Sequence, residues 1–219
     1  MTQRCVAVLG GSFDPVHEGH VALADYFIHW LTPDELRLLP AGNPWQKNGL
    51  QADAMHRVEM LRLAFGDQSV PVTIDDREIA REGATYTIDT LRELRAELGG
   101  HTSIAFLLGA DQLKKLHTWK DWPGLFDYAH LCAASRPGFA IDSAQLAPEV
   151  AREFSRRTAT PEQMRSTPNG LCCLASNLAI DISATEIRAA LQEGSRPSQL
   201  APRVLDYIQQ NQLYETNGH

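Results

Sequence analysis

The sequence has little of what membrane-spanning or secreted proteins carry. It holds no apolar run of the roughly 20 residues that a helix needs to cross a bilayer. Near its start there is one basic side chain, followed by an apolar stretch shorter than that of a signal peptide. We therefore expect a cytoplasmic protein that does not associate with a membrane.

Cysteine is also scarce. The chain has four cysteines, all in apolar, strand-like segments, and none stands at metal-ligand spacing from another. This usage is typical of reduced, buried thiols in a cytoplasmic protein. The four are Cys5, Cys132, Cys172 and Cys173.

Positive charge is in the minority. Lys and Arg number 20 against 27 Asp and Glu, so the formal net charge is −7. A broad interface with a nucleic-acid polymer is disfavoured, because it needs basic patches. A small phosphorylated ligand in a locally positive pocket is compatible with this balance.

Apolar residues are sufficient for one core. They make up 43% of the 219 residues, without internal repeats or low-complexity tracts. The length predicts a single domain over residues 1–219. Residues 137–170 are poorly periodic and hold several prolines, which predicts an insertion or lid, and C-terminal helices are expected from residue 183.

Apolar runs of strand length alternate with amphipathic helical stretches. This alternation predicts a Rossmann-like, doubly wound α/β fold with a mostly parallel sheet. Ligands of such sheets bind at the carboxyl ends of the strands. The predicted strands are 4–9, 35–40, 70–75, 103–109, 129–134 and a last region within 171–182; the predicted helices are 20–31, 52–65, 86–98, 184–194 and 201–214.

The stretch GGSFDPVHEGH, residues 10–20, follows the first predicted strand. Gly10 and Gly11 allow a tight turn with exposed N–H groups. Asp14 and Pro15 have the pattern of a helix N-cap and first helical residue. The stretch lacks the G-K-[ST] of a P-loop and does not match GxGxxG.

His17 and His20 are three residues apart and would share one face of a helix near its positive end. Three interpretations are open. A zinc pair would need a third ligand, and none follows at a usual spacing. The histidines can be incidental to a structural cap, or they can donate hydrogen bonds to a bound phosphate.

A second polar pattern, ISATEIR, occupies residues 182–188. Ser183 precedes a helical run and Glu186 follows three residues later, which predicts a capping box. Arg188 would lie one turn into that helix. An arginine there can meet phosphate charge at the helix N-terminus.

Together these motifs resemble a known family. GGSFDPVHEGH is similar to the GG[ST]FDPxHxGH signature of the HxGH nucleotidyltransferase superfamily. ISATEIR is similar to its ISSTxIR motif, with Ala184 where a second serine is usual. The middle of the chain resembles the bacterial nicotinate-nucleotide adenylyltransferases, in LLPAGNPWQK (38–47), TYTIDTL (85–91), LLGADQLKKLHTW (107–119) and ASRPG (134–138).

The resemblance implies an enzyme of NAD biosynthesis. Such an enzyme transfers the adenylyl group of ATP to nicotinate mononucleotide and releases pyrophosphate, with Mg²⁺ carried by ATP. The acceptor's 5′-phosphate is already anionic at pH 7, so no catalytic base is required. The protein must supply in-line positioning and relief of charge repulsion at the α-phosphate.

The resemblance also implies roles for residues. His17, His20 and Arg188 are the expected catalytic residues and also bind ATP, and no side chain is assigned to a metal. The other expected ATP-binding residues are Gly10, Gly11, Ser12, Phe13, Gly109, Asp111, Ile182, Ser183 and Thr185. The expected acceptor-binding residues are Lys47, Thr85, Tyr86, Thr87, Trp119 and Arg136.

Several of these residues have structural alternatives. Asp111 can accept from a ribose hydroxyl or can be a helix N-cap. Trp119 can stack on a pyridine ring, whereas Trp122 is expected to pack. Lys47 can reach phosphate or be a solvated loop lysine. The charged run 75–78 is expected to be mostly solvated or structural.

Other functions stay open on the sequence alone. The acceptor can be nicotinamide mononucleotide or another phosphorylated compound such as phosphopantetheine. A non-catalytic nucleotide sensor could keep the same fold, although it would be expected to lose His17, His20 or Arg188. A zinc-dependent hydrolase is the most distant alternative.

Overall fold

The computed structural model describes residues 3–42, 50–134, 146–175, 178 and 182–215. Strands and helices alternate along the chain, as predicted. The strands are β1 (Cys5–Gly11), β2 (Glu35–Pro40), β3 (Val72–Ile74), β4 (Ser103–Gly109), β5 (His130–Ala134) and β6 (Cys172–Ala175). The helices are α1 (Glu18–Leu31), α2 (Ala54–Phe65), α3 (Arg77–Ala80), α4 (Thr87–Leu98), α5 (Ala110–Lys114), α6 (Pro148–Arg157), α7 (Pro161–Ser166), α8 (Ala184–Gln192) and α9 (Pro202–Gln210), with 3-10 turns at Leu116–Thr118 and Trp122–Asp127.

The six strands form one sheet in the order β3-β2-β1-β4-β5-β6, and all five neighbouring pairs are parallel. From the centre of the sheet outward, β1, β2 and β3 follow one another on one side, and β4, β5 and β6 follow one another on the other side. The reversal between β1 and β4 is the switch point at which doubly wound folds bind ligands. The predicted fold class is confirmed.

The central strands are buried on both faces, which explains their continuous apolar runs. Successive side chains of β1 enter opposite cores: Leu9 packs with α1, α2, α8 and α9, and Val8 packs with α4, α5 and α6. The helix after β1 and the helix after β4 therefore lie on opposite faces of the sheet. The four cysteines are buried free thiols, as expected.

The chain between β5 and β6 includes α6 and α7. Val150 and Phe154 of α6 are buried on one face of the sheet, and Met164 of α7 is buried on the other. Residues 146–170 thus pack against the sheet as part of its crossover connection. The insertion or lid at 137–170 stays a prediction, and 137–145 lie outside the described residues.

The charged run after β3 is mainly structural, as expected. Arg37 is buried and pairs with Glu35 at 2.9 Å and Glu97 at 2.7 Å, while Arg77 pairs with Asp75 at 2.7 Å. Burial alone would raise the pKa of Asp75, but hydrogen bonds from Arg77 hold that pKa below its usual value. Within the part of the chain that the structure describes, no helix has the length and apolarity to cross a bilayer.

His130, at the start of β5, is fully buried. Its Nδ1 accepts from the Leu171 N–H at 3.1 Å, so its Nε2 carries the proton and donates to the Thr167 carbonyl at 2.9 Å. Burial lowers the pKa of His130, and the charge of Arg95 acts in the same direction. The folded protein therefore holds a neutral imidazole that the unfolded chain would protonate more readily.

We expect the free energy of unfolding to fall as pH drops below about 6.5, because the unfolded chain then binds a proton that folded His130 resists. The contribution of this one group is at most about 1.4 kcal/mol per pH unit. Urea unfolding of the parent and His130→Gln between pH 7.5 and 5.5 measures it, and His130→Gln should flatten the profile. His101→Gln, at an exposed histidine, is the matched control; equal slopes in all three proteins would contradict the expectation.

Candidate active site

A cavity of about 710 Å³ opens at the carboxyl ends of β1 and β4, at the switch point of the sheet. Its size lies within the range of small-molecule sites. It joins loops that are far apart in the chain: those after β1, β2 and β4, and the segments that enter α4 and α8. The predicted site residues on its lining are Gly10, Gly11, Ser12, His17, His20, Thr85, Thr87, Gly109, Asp111, Trp119, Ile182, Ser183, Thr185 and Arg188.

Two of the predicted site residues that the structure describes, Phe13 and Tyr86, do not line the cavity. Phe13 is fully buried behind the lining, with its ring edge-on to His20 at 4.9 Å between centroids. Tyr86 is the N-cap of α4, and the Lys120 ammonium lies 4.4 Å from its ring centroid. Lys47 and Arg136 lie outside the described residues.

The two histidines meet at the start of α1. His17 is the N-cap, and its N–H donates to Nδ1 of His20 at 3.3 Å. The two rings are stacked with their centroids 3.8 Å apart. Because Nδ1 of His20 accepts, its Nε2 carries the proton and is the nitrogen that can donate to a ligand. Both imidazoles lie at the positive end of a 14-residue helix.

The expected helix start at Asp14 and Pro15 is wrong, since α1 begins at Glu18. The Asp14–Pro15 peptide bond is cis. The Asp14 carboxylate accepts instead from the backbone N–H groups of Gln51 at 2.8 Å and Ala52 at 3.0 Å. The carboxylate that the sequence pattern predicts to cap α1 therefore binds the backbone of a segment about 37 residues later in the chain.

Arg188 projects from the first turns of α8 toward this loop. Its Nη1 donates to the Asp14 carbonyl at 2.6 Å, and its Nη2 donates to Thr185 Oγ1 at 3.3 Å. Its Nε is buried and meets no acceptor among the described residues. Ser183 is the N-cap of α8 as predicted, but its side chain makes no capping bond within the described chain. The capping box with Glu186 is therefore wrong.

Arg57 supports the same loop from behind and has the largest side chain buried in the core. It donates to the carbonyls of Ser12 at 2.9 Å and Ala52 at 3.2 Å. Burial lowers the pKa of Arg57, and the charge of Asp14 opposes that shift. The sequence pattern does not separate this arginine from ordinary polar positions on an amphipathic helix, so it was missed.

The opposite wall of the cavity comes from the segment after β4. Gly109 is the N-cap of α5 and Asp111 is the second residue of that helix, so the N-cap alternative for Asp111 is wrong. Trp119 packs edge-on against Phe106, and its buried indole N–H meets no acceptor in the described part of the chain. Trp122 packs against the core beneath, as expected.

The remaining wall lies at the start of α4. Thr85 is buried just before the helix, which begins at Thr87. Thr90 Oγ1 donates to Glu78 Oε1 at 2.8 Å, and Glu78 also lines the cavity. Burial raises the pKa of Glu78, against hydrogen bonds from Thr90 and Thr85. Glu78 was missed, because the charged run around it was expected to be solvated or structural and not to line a site.

A close backbone approach fixes the position of Glu78. A Cβ built on Gly42 would lie 1.9 Å from the Glu78 carbonyl oxygen. Only glycine leaves room for the chain after β2 to pass this close to α3. The Glu78 backbone is therefore packed against the loop after β2, and its carboxylate is held by the hydrogen bond from Thr90 of α4.

The arrangement suits a polyanion with organic groups at both ends. Gly10 and Gly11 are the last two residues of β1, so the tight turn predicted at them is wrong. His17, His20 and Arg188 gather donors beside these glycines, where phosphate oxygens can be bound through both charge and hydrogen bonds. The other walls present a carboxylate, an indole and a helix N-terminus. Within the described ranges, no three or more His, Cys, Asp or Glu side chains are grouped to hold a metal ion.

Residues 8–190 match the cytidylyltransferase-like family. A probable nicotinate-nucleotide adenylyltransferase of Herminiimonas arsenicoxydans is 66% identical over 97% of this chain and 98% of its own. One from Chromobacterium violaceum is 43% identical over 95% and 98%. A solved structure, the Plasmodium falciparum nicotinic acid mononucleotide adenylyltransferase complexed with NaAD, shares the fold with a TM-score of 0.73 at 20% identity, covering 97% and 98% of the two chains.

The family match spans most of the chain, and the bacterial relatives match it nearly end to end. Among the described residues, each motif that carries the resemblance contributes at least one residue to the cavity lining. The chain therefore belongs to the cytidylyltransferase-like family and, within it, to the nicotinate-nucleotide adenylyltransferases.

Proposed function

We propose that the chain transfers the adenylyl group of ATP to the 5′-phosphate of nicotinate mononucleotide, giving nicotinate adenine dinucleotide and pyrophosphate. One observation carries the proposal: the N-terminal histidines and Arg188 of α8 converge on one wall of the cavity at the switch point. The relative that is 66% identical bears the name of this activity. The step belongs to NAD biosynthesis.

The chemistry needs positioning rather than a base. An oxygen of the acceptor phosphate attacks the α-phosphorus of ATP, and the bond from that phosphorus to the oxygen bridging to the β-phosphorus breaks. Pyrophosphate leaves with the bonding electron pair. Both reactants are anions, so the protein must hold them in line and offset their repulsion.

His17, His20 and Arg188 are proposed to bind the triphosphate. Gly10, Gly11 and Ser12 bring backbone close to it, as does the backbone of Phe13. The buried Nε of Arg188 gains an acceptor when a phosphate oxygen arrives. Gly109, Asp111, Ile182, Ser183 and Thr185 are proposed to bind the nucleoside part of ATP, with Asp111 accepting from a ribose hydroxyl.

Trp119 is proposed to stack on the pyridine ring of the acceptor. Backbone N–H groups around Thr85, Tyr86 and Thr87 are proposed to bind the nicotinate carboxylate, supported by their position at the start of the 12-residue helix α4. Lys47 and Arg136 stay predicted phosphate contacts.

Mg²⁺ is proposed to arrive with ATP. This ion keeps several waters and is held by substrate phosphates with few protein carboxylates, which fits a cavity whose phosphate wall is built from donors. When bound, Mg²⁺ offsets charge on the triphosphate. A cytoplasmic location stays a prediction, favoured by the four reduced, buried thiols.

The acceptor is the first thing to test. With ATP and Mg²⁺, we expect pyrophosphate release with nicotinate mononucleotide and at least about tenfold lower kcat/KM with nicotinamide mononucleotide, because a helix N-terminus favours a carboxylate over an amide. Coupled measurement of pyrophosphate for each acceptor, with phosphopantetheine and no acceptor as controls, checks this. ATP binding without release from any acceptor would support a nucleotide sensor instead.

His20→Ala should lower kcat by at least about 100-fold, as removal of a transition-state donor does. His29→Ala is the matched control, because His29 lies on the same helix at an exposed position far along it. Steady-state rates and circular dichroism of both variants give the comparison. Full turnover by His20→Ala would overturn the phosphate role.

Trp119→Ala should raise KM for nicotinate mononucleotide by about tenfold, since stacking on one base contributes about 1–3 kcal/mol. KM for ATP should change by less than about twofold. Trp119→Phe keeps an aromatic face and should recover most of the loss. A larger effect on ATP than on the acceptor would contradict the assignment.

A further inference from the structure

Tyr214 reaches the active-site loop from the far end of the chain. Its hydroxyl donates to Asp14 Oδ1 at 2.7 Å, across 200 residues of sequence. Both side chains are buried, with 7% of Tyr214 and 4% of Asp14 exposed. Burial, together with the charge of Asp14, raises the pKa of Tyr214, so its hydroxyl keeps the proton that it donates.

The backbone after α9 is bent to make this contact. Gln212 and Tyr214 have φ angles of 51° and 66°, in the left-handed region that side-chain-bearing residues rarely adopt. The Leu213 N–H donates to the Ile208 carbonyl at 3.0 Å, which closes the end of the helix. Two such residues on either side of Leu213 persist only where the surroundings hold them, and they accompany the inward position of Tyr214.

Asp14 joins this contact to the phosphate wall. Its carboxylate accepts from Tyr214 and from the backbone of Gln51 and Ala52, while its carbonyl accepts from Arg188 at 2.6 Å. Asp14 also lines the cavity and precedes His17 by three residues. A shift of Asp14 therefore moves the groups that face the triphosphate.

We propose that Tyr214 is a positioning residue for the triphosphate end of the site. It acts through Asp14. The location of Asp14 determines the position of the Arg188 guanidinium and the path of the chain into His17, the N-cap of α1. The proposal rests on the proposed function for the identity of the nucleotide. The segment after α9 therefore contributes to turnover in addition to packing against the core.

The test compares two tyrosines that each contribute one hydroxyl bond to the C-terminal region. Tyr214→Phe removes the donor to Asp14. Tyr207→Phe, on α9, removes the bond between its hydroxyl and His56 Nδ1 at 2.9 Å, which lies outside the loop. Each variant is measured for kcat, for KM of ATP and of nicotinate mononucleotide, and for its thermal unfolding midpoint.

We expect Tyr214→Phe to lower kcat/KM for ATP by about tenfold, because small misplacements of reacting groups have large effects on rate. KM for the acceptor should stay within about twofold. Tyr207→Phe should keep parental rates at a comparable unfolding midpoint. Parental kinetics in Tyr214→Phe, or equal losses in the two variants, would overturn the proposal.

A double-mutant cycle tests the route through Asp14. If Tyr214 acts through that side chain, Asp14→Ala with Tyr214→Phe should be no slower than Asp14→Ala alone, because Asp14→Ala already removes the acceptor of the tyrosine hydroxyl. Losses that multiply would show a different route and overturn the inference. Assays run well below the lowest unfolding midpoint, and circular dichroism of each variant confirms that rates refer to folded protein.

Calorimetric measurement of ATP binding in the presence of Mg²⁺ distinguishes a failure of the proposed adenylyl transfer from a failure of the positioning role of Tyr214. Should the parent release no pyrophosphate with nicotinate mononucleotide, the proposed function fails, and weaker ATP binding by Tyr214→Phe than by Tyr207→Phe would still support the positioning role. A different outcome is an active parent with both variants matching its ATP affinity and its turnover rate. In that case only the inference about Tyr214 fails.

Discussion

The reversal of strand order between β1 and β4 is the constraint on which the site depends. Both strands run the same way and pair directly, yet the helices that follow them pack on opposite faces of the sheet. Their connecting loops must therefore separate, and the sheet leaves a cleft at the carboxyl ends of its two central strands. The end of β1 with the loop that follows it, and the start of α5 after β4, are the two sides of that cleft.

A loop that faces a polyanion cannot be held by an apolar core alone, because its backbone polar groups need partners. Here the loop after β1 is fastened by groups buried behind it: Arg57 on the Ser12 carbonyl, and backbone N–H groups on the Asp14 carboxylate. The opposite charges of Arg57 and Asp14 offset each other in the interior.

The central strands β1 and β4 could be predicted from the sequence because they are buried on both faces and form nearly continuous apolar runs. Strands β2 and β4 begin and end where predicted. The start of α1 could not be predicted in the same way, because the residue type at Asp14 suggested a helix cap. Asp14 has the residue type of a cap, yet its partners are Gln51 and Ala52, which only the folded chain brings near.

Most of the site residues predicted from the sequence motifs line the cavity. The motifs did not predict buried residues such as Arg57, which supports this lining from behind. Arg57, Glu78 and Tyr214 were missed because the contacts that place them at the site include partners as far as 200 residues away in sequence. A local pattern of charge or hydropathy does not show such contacts. For Glu78 the neighbouring charges favoured a solvated or structural role.

The bond between Tyr214 and Asp14 also has a consequence for the order of synthesis. A ribosome that adds about 5–20 residues per second needs about 10–40 s to deliver Tyr214 after Asp14. Throughout that interval the nascent chain carries Gly10, Gly11 and both histidines without the Tyr214 hydroxyl that donates to Asp14. Under the positioning role proposed for Tyr214, nucleotide binding of full strength requires this residue to have been synthesised, and chains terminated before it carry the motif without the bond to Asp14.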